Sequence, residues 1–207
     1  MVAPLQWVTI DGEGKNNAMQ GNEPHFQYTA SILFEKDSKE HKQLLTQIDG
    51  EWKTYKEKFG VKGLPKTNGI KPYMVESDDK SDIDPATEKI RKVDSGKVMA
   101  TFKTNTKWPD GNDQIVKVFD GKGNDITTAV RNADWSIGNG STGILHGSAA
   151  ANNVGGTHKV TLYLSAVQIA HLDKYTGSTV EADDIGGEEI DLGEDVAAVP
   201  QTGGPNL

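Results

Sequence analysis

HKVTLYLSAVQI (158–169) decides the fold of this chain. Val160, Leu162 and Leu164 alternate with Lys159, Thr161 and Tyr163, the two-residue period of a strand with one face in a core and the other in water. The same period recurs upstream. In DQIVKVFD (113–120), Lys117 and Phe119 point opposite to Val116 and Val118. In KVMATFKTNTKW (97–108), Val98, Ala100, Phe102 and Trp108 share one parity, and Met99, Thr101, Lys103, Asn105 and Lys107 share the other. FQYTASILFE (26–35) places Tyr28, Ala30, Ile32 and Phe34 on one face, and QWVTID (6–11) reads as a further strand. Shorter strand signals follow at DWSIG (134–138) and TGILHGSAAA (142–151). Turn-rich stretches separate these runs, among them GKGND (121–125) and NNVGG (152–156).

One segment has a different period. Leu44, Ile48, Trp52, Tyr55 and Phe59 recur every three to four residues, which predicts a helix with these five residues on its buried face. Asp37 followed by Glu40 reads as a capping box, and Gly60 as the C-terminal cap. Gly50 costs about 1 kcal/mol relative to Ala and marks a place for a break. Between helix and next strand lie an extended segment over 70–75 and a solvated acidic loop, ESDDKSDIDPATEK (76–89). Many short strands and one main helix predict a mainly β fold, an antiparallel barrel or sandwich carrying an inserted helix.

Charge divides the chain into two parts. Lys174 is the last basic residue, and the stretch 175–207 carries Glu181, Asp183, Asp184, Glu188, Glu189, Asp191, Glu194 and Asp195. The whole chain has 30 acids and 22 bases, so without those eight carboxylates 22 acids face 22 bases. The tail alternates acids with Gly and isolated aliphatics, too little apolar surface to order itself, and is expected to be disordered. The expected organisation is a folded body over 1–174 and an acidic tail over 175–207. A mobile polyanion attached to the body that holds every Lys suits a protein whose ligand is itself a polyanion.

No apolar run approaches the roughly eighteen residues that cross a bilayer, and MVAPLQWVTIDGEG (1–14) lacks the features of a signal peptide. There is no cysteine, which excludes thiolate chemistry and fits a reducing compartment. A cytosolic protein is the expectation. Catalytic patterns are absent: there is no HExxH, GxSxG or P-loop, and the five histidines, at 25, 41, 146, 158 and 171, read as isolated surface residues. The acids at 76–84 lack the Gly and terminal Glu of a calcium loop, and a single GKGNDIT unit (121–127) reads as a hairpin turn. No cofactor, metal or enzymatic activity is expected. Asn139-Gly140-Ser141 is a glycosylation signal only in a secreted protein.

What remains is Lys beside aromatics. Binding of single-stranded nucleic acid needs cations that track phosphates and flat side chains on which bases stack. The candidate set is Lys103, Lys107, Trp108, Lys117, Phe119, Lys159 and Tyr163 on the strands. Lys66, Lys71 and Tyr73 join it from the segment before the acidic loop, and Arg131 from a connection near Trp135. Parity favours packing over stacking for Phe102 and Trp108, unless a bulge intervenes.

The stretch IVKVFDGKGNDIT (115–127), a Trp- and Gly-containing connection, and GGTHKVTLYLSAVQIAHL (155–172) resemble the C-terminal half of phage single-stranded-DNA-binding proteins of the OB-fold type, including relatives of the protein from T7-like phages. The shared features are a valine-rich strand leading to a DGKG-like turn, a strand ending in Leu162, Leu164, Ala166, Val167 and Gln168, and an acidic C-terminal segment. The resemblance implies an OB-fold-like barrel that coats single-stranded DNA during phage replication, recombination and repair, in the cytoplasm of a bacterial host. It also implies a tail that competes for the DNA groove and docks onto a polymerase or helicase. Two other classes compete with it. A virion or carbohydrate-binding β-module fits the Gly-, Asn- and Thr-rich strands but leaves the tail unexplained. A nuclease lacks a compact acidic and His set.

Overall fold

The computed structural model describes residues 2–18 and 23–177. In chain order the elements are β1 (Ala3–Thr9), β2 (Lys15–Asn16), β3 (Phe26–Glu35), α1 (Lys39–Phe59), β4 (Ile70–Glu76), β5 (Ile83–Asp84), β6 (Lys89–Ile90), β7 (Lys92–Asn105), β8 (Lys117–Phe119), α2 (Thr127–Arg131), β9 (Ser136–Ile137), β10 (Thr142–Val154), β11 (Thr157–His171) and β12 (Lys174–Tyr175).

Five strands close a circuit. β1 pairs β3, β3 pairs β7, β7 meets β11, β11 pairs β10, and β10 returns to β1. All these contacts are antiparallel except β7 with β11, which is parallel and joins only Phe102 to Leu162 and Lys103 to Tyr163. The result is a small OB-fold-like barrel, with α1 inserted between its second and third strands. β4 extends the sheet beyond β7, and β8 lies parallel to the far end of β11.

Residues of alternate parity fill the barrel. Leu5, Ala30, Ile32, Ala100, Val118, Val160, Leu162, Leu164 and Val167 are buried in one cluster. Ile48 and Trp52 of α1 join it, and the Trp52 indole N–H donates to the Gly63 carbonyl at 3.0 Å. A bulge in β11 opposite His146–Gly147 explains how both Leu164 and Val167 point inward: Ser165 is the extra, exposed residue.

Several expectations need correction. The helix is capped by Ser38, whose hydroxyl accepts from the His41 amide at 3.3 Å, rather than by Asp37. Asp37 instead turns the chain at φ 64° and donates its amide to Nδ1 of His41, so His41 is a buried local partner rather than a surface residue. α1 runs through Gly50 without a break, because that position is exposed and its cost is met by packing on the opposite face. Phe59 is not core: the last helical turn runs past the barrel, leaving its ring 58% exposed against Tyr55.

β7 begins five residues before the stretch read from parity and stops at Asn105. Residues 106–114 then form a tight hairpin loop, closed by bonds between Gln114 and Thr106 and between Trp108 and Asn112. Parity therefore lapses before Trp108, which is 52% exposed. The acidic loop holds the small β5–β6 hairpin. GKGND turns the chain back on β8, with an antiparallel bridge between Phe119 and Asp125, but no second strand follows it. The Asp120 carboxylate accepts from the Lys122 and Asn124 amides and from the Asn124 side chain, and the turn leads into α2.

β12 pairs with β9, so Tyr175 lies beside Ser136 in the body. The tail carboxylates, from Glu181 on, lie outside the described residues. Among the described residues no helix is long and apolar enough to cross a membrane.

Candidate nucleic-acid interface

The outer face of the barrel is polar where β3, β7 and β11 meet. Register places Thr29, Lys103 and Tyr163 side by side across three strands, with Ser31 and Thr101 in the next row, hydroxyls 2.9 Å apart. The row on the other side holds Lys15, Gln27 and Asn105, and Gln27 donates to Asn105 at 3.0 Å. These side chains point outward because their neighbours Ala30, Phe102 and Leu162 are core.

Lys103 stands at the centre of this face. Burial, and then repulsion from Lys159, hold its ammonium below the ordinary lysine range. Lys159 projects from β11 on the side of Thr161 and Tyr163. Lys66 comes alongside, because its amide donates to the His158 carbonyl while Val160 donates to Thr67. Gly69, at φ 80°, continues this wedge between β7 and β11 by accepting from the Thr101 amide. Lys71 then pairs with Met99 on the outer side of β7. Among the described residues none of Lys66, Lys71, Lys103 and Lys159 makes an ion pair, since the five that form use Lys80, Arg91, Lys97, Lys107 and Lys117. Four unpaired cations, two of them repelling, make a site suited to an anion.

Aromatic surface lies next to the cations. Tyr163 is 39% exposed, and its hydroxyl accepts from the Asn152 amide at 3.1 Å, which orients the ring. The other amide atom of Asn152, Oδ1, is buried without a partner. Tyr73 on β4 is half-buried and stands 6.2 Å from Trp7.

The other candidates are more dispersed. Lys107 and Trp108 ride on the hairpin loop that continues β7, with Lys107 bridged to Asp113 at 3.4 Å. Lys117 and Phe119 lie on β8, paired with Ala166 and Gln168 beyond the β11 bulge; Lys117 is bridged to Asp125 at 3.3 Å. Both bridges are exposed and screened by solvent, so neither lysine is withdrawn from a competing phosphate. Arg131 packs against the opposite, core-facing side of β3. Its guanidinium lies 5.7 Å over the ring of buried Tyr28, a packing role.

Sequence reasoning missed Trp7, Lys15 and Asn152. Lys15 sits in a two-residue strand too short for periodicity to reveal, and Asn152 in a stretch read as loop that β10 extends through. A separate cavity of about 430 Å³ between α1 and β10 is lined in part by Phe102 and Leu162, which point opposite to Lys103 and Tyr163.

No protein-family model and no curated protein sequence matches the chain. Solved structures do. The crystal structure of gp2.5, a single-stranded DNA binding protein encoded by bacteriophage T7, matches with a TM-score of 0.52 at 15% identity, covering 92% of this chain and 98% of that one. The single-stranded DNA-binding protein from bacteriophage Enc34 in complex with ssDNA matches at 0.51 and 15%, covering 85% of this chain and 86% of that one. A further structure of the single-stranded DNA-binding protein from bacteriophage Enc34 matches at 0.50 and 16%, covering 88% of this chain and 84% of that one. At such identities the likeness establishes a shared fold.

Proposed function

We propose that this protein is a non-catalytic, sequence-independent binder of single-stranded DNA, acting in phage DNA replication, recombination and repair in the cytoplasm of a bacterial host. The observation that supports this reading is Lys103 and Lys159 close together beside Tyr163, with Lys66 and Lys71 on the segment that bonds to β11 and β7, and none of the four in an ion pair among the described residues. The shared fold with the single-stranded DNA-binding proteins of bacteriophages T7 and Enc34 supports it. Phosphates lie along the lysines, and bases stack on Tyr163 at about 1–3 kcal/mol each, with little regard to sequence. Lys107, Trp108, Lys117 and Phe119 extend the path to either side, and Arg131 acts through the packing of Tyr28.

The acidic segment of 175–207 completes the mechanism. Tethered to the body, its carboxylates compete for the same lysines at high effective concentration until DNA displaces them. Once released, Ile185, Ile190, Leu192 and Val196 among the acids dock onto a polymerase or helicase.

Binding of a labelled poly-dT oligonucleotide tests this, using the full chain and a truncation after Gly177. The expected result is binding by both, tighter for the truncation, with the gap closing as salt rises. Failure of either form to bind dT at low salt overturns the reading, and affinity for an oligosaccharide instead would install the β-module in its place.

A further inference from the structure

Trp7 combines features that rarely occur together. Its backbone sits at φ 47°, a left-handed conformation that bulky residues avoid, and its side chain is 53% exposed. The pairing of β1 with β3 slips between Gln6 and Thr9, so Trp7 is the bulged residue. The loop at 138–140 holds it there: the Trp7 amide donates to Oδ1 of Asn139 at 2.8 Å, and Gln6 Nε2 donates to the Asn139 carbonyl at 3.1 Å. Asn139, which sequence reasoning met only as a glycosylation signal, is thus a bracket for an exposed indole.

The partner of that indole is Tyr73, with ring centroids 6.2 Å apart and planes at 55°. β1 and β4 are not neighbours. Between them lie β3 and β7, so the two rings meet across the outside of that strand pair, the face that carries Lys103. Flat hydrophobic surface, held out of the core by a strained backbone on the face that carries Lys103, suits a ligand with both charge and flat rings.

We propose that Trp7 and Tyr73 form a jaw that takes one base of single-stranded DNA between their rings, a second stacking station besides Tyr163. This rests on the single-stranded DNA reading. A base stacked on both sides needs rings about 7 Å apart, twice the 3.4 Å step of stacked bases. The present spacing is under that by less than an ångström, and the tilt shows the rings closed on each other rather than parallel. Opening requires Tyr73 to turn, on a β4 segment whose own register slips between Pro72 and Met74. The competing role for the pair is a cover over Leu33 and Met99, which share this face and are buried outside the main core.

Photo-crosslinking of the full chain to poly-dT carrying 5-iodo-deoxyuridine, with the attached peptides mapped by mass spectrometry, separates the two roles. Trp7→Leu and Trp7→Phe are measured alongside for dT affinity at fixed salt and for melting temperature. The jaw predicts crosslinks at Trp7 or Tyr73 and a roughly 5- to 150-fold weaker Trp7→Leu, with most of the affinity kept by Trp7→Phe. It also predicts an unchanged salt slope, because a stacked base carries no phosphate contact. Crosslinks confined to other residues, with Trp7→Leu binding within about twofold of the parent, overturn the jaw and leave the DNA reading standing. Absence of dT binding by the parent chain overturns both. Should Trp7→Leu fail to fold, the crosslink map of the unaltered chain decides.

Discussion

At the scale of single residues, Lys103 shows most clearly what the face is for. A lysine half-buried beside another lysine is a cost to the folded protein, and among the described residues no carboxylate pairs with it. The folded state holds the Lys103 proton less tightly than the unfolded chain does. The cost is therefore fully present below its folded pKa and fades as pH rises through that value toward the ordinary lysine range, near 10.4. Lys103→Met should accordingly melt no lower than the parent at neutral pH while binding dT more weakly. A melting temperature well below the parent's, by calorimetry, would show that Lys103 serves the fold. The pattern Lys103, Lys159 and Tyr163 was legible in the sequence because strand parity carries it. Trp7 was not, because its exposure comes from a bulge and a loop more than 130 residues away, neither of which has a local signature.

At the scale of elements, the reading of strands held where alternation was long and failed at their ends. β3 and β11 match their hydrophobic period, whereas Trp108 and Phe59 were assigned by extending a period past the point where the element stops or leaves the barrel. The short α2 gave no period at all. The segment before β4 shows how a connection can build a site. Residues 66–69 wedge between β7 and β11 and so bring Lys66 to Lys159. The wedge depends on Gly69: its φ is 80°, and a Cβ there would lie 2.9 Å from Cγ of Leu162. Gly69→Ala should lose about 1–3 kcal/mol of stability from backbone strain alone, measured by urea unfolding. A variant as stable as the parent would mean that the wedge is not fixed as described.

At the scale of the whole molecule, the barrel separates two kinds of surface. Its inside is a continuous apolar core, and its outside carries lysines from four places in the chain, on β7, β11, β4 and the wedge, none of them in an ion pair among the described residues. The charge division along the sequence was legible from composition alone, but the convergence of those lysines depends on barrel closure through the short parallel contact of β7 with β11. The central claim is that this convergence binds the phosphates of single-stranded DNA. The most direct measurement is the salt dependence of poly-dT binding by fluorescence anisotropy, for the parent chain and for the Lys103→Met, Lys159→Met double variant. Each phosphate neutralised on a single strand contributes about −0.7 to the slope of log K against log salt. Four lysines predict a parent slope near −3 and a loss of about 1.4 from the slope in the double variant. A slope that the double variant leaves unchanged would contradict the account, because the phosphates would then be held somewhere else.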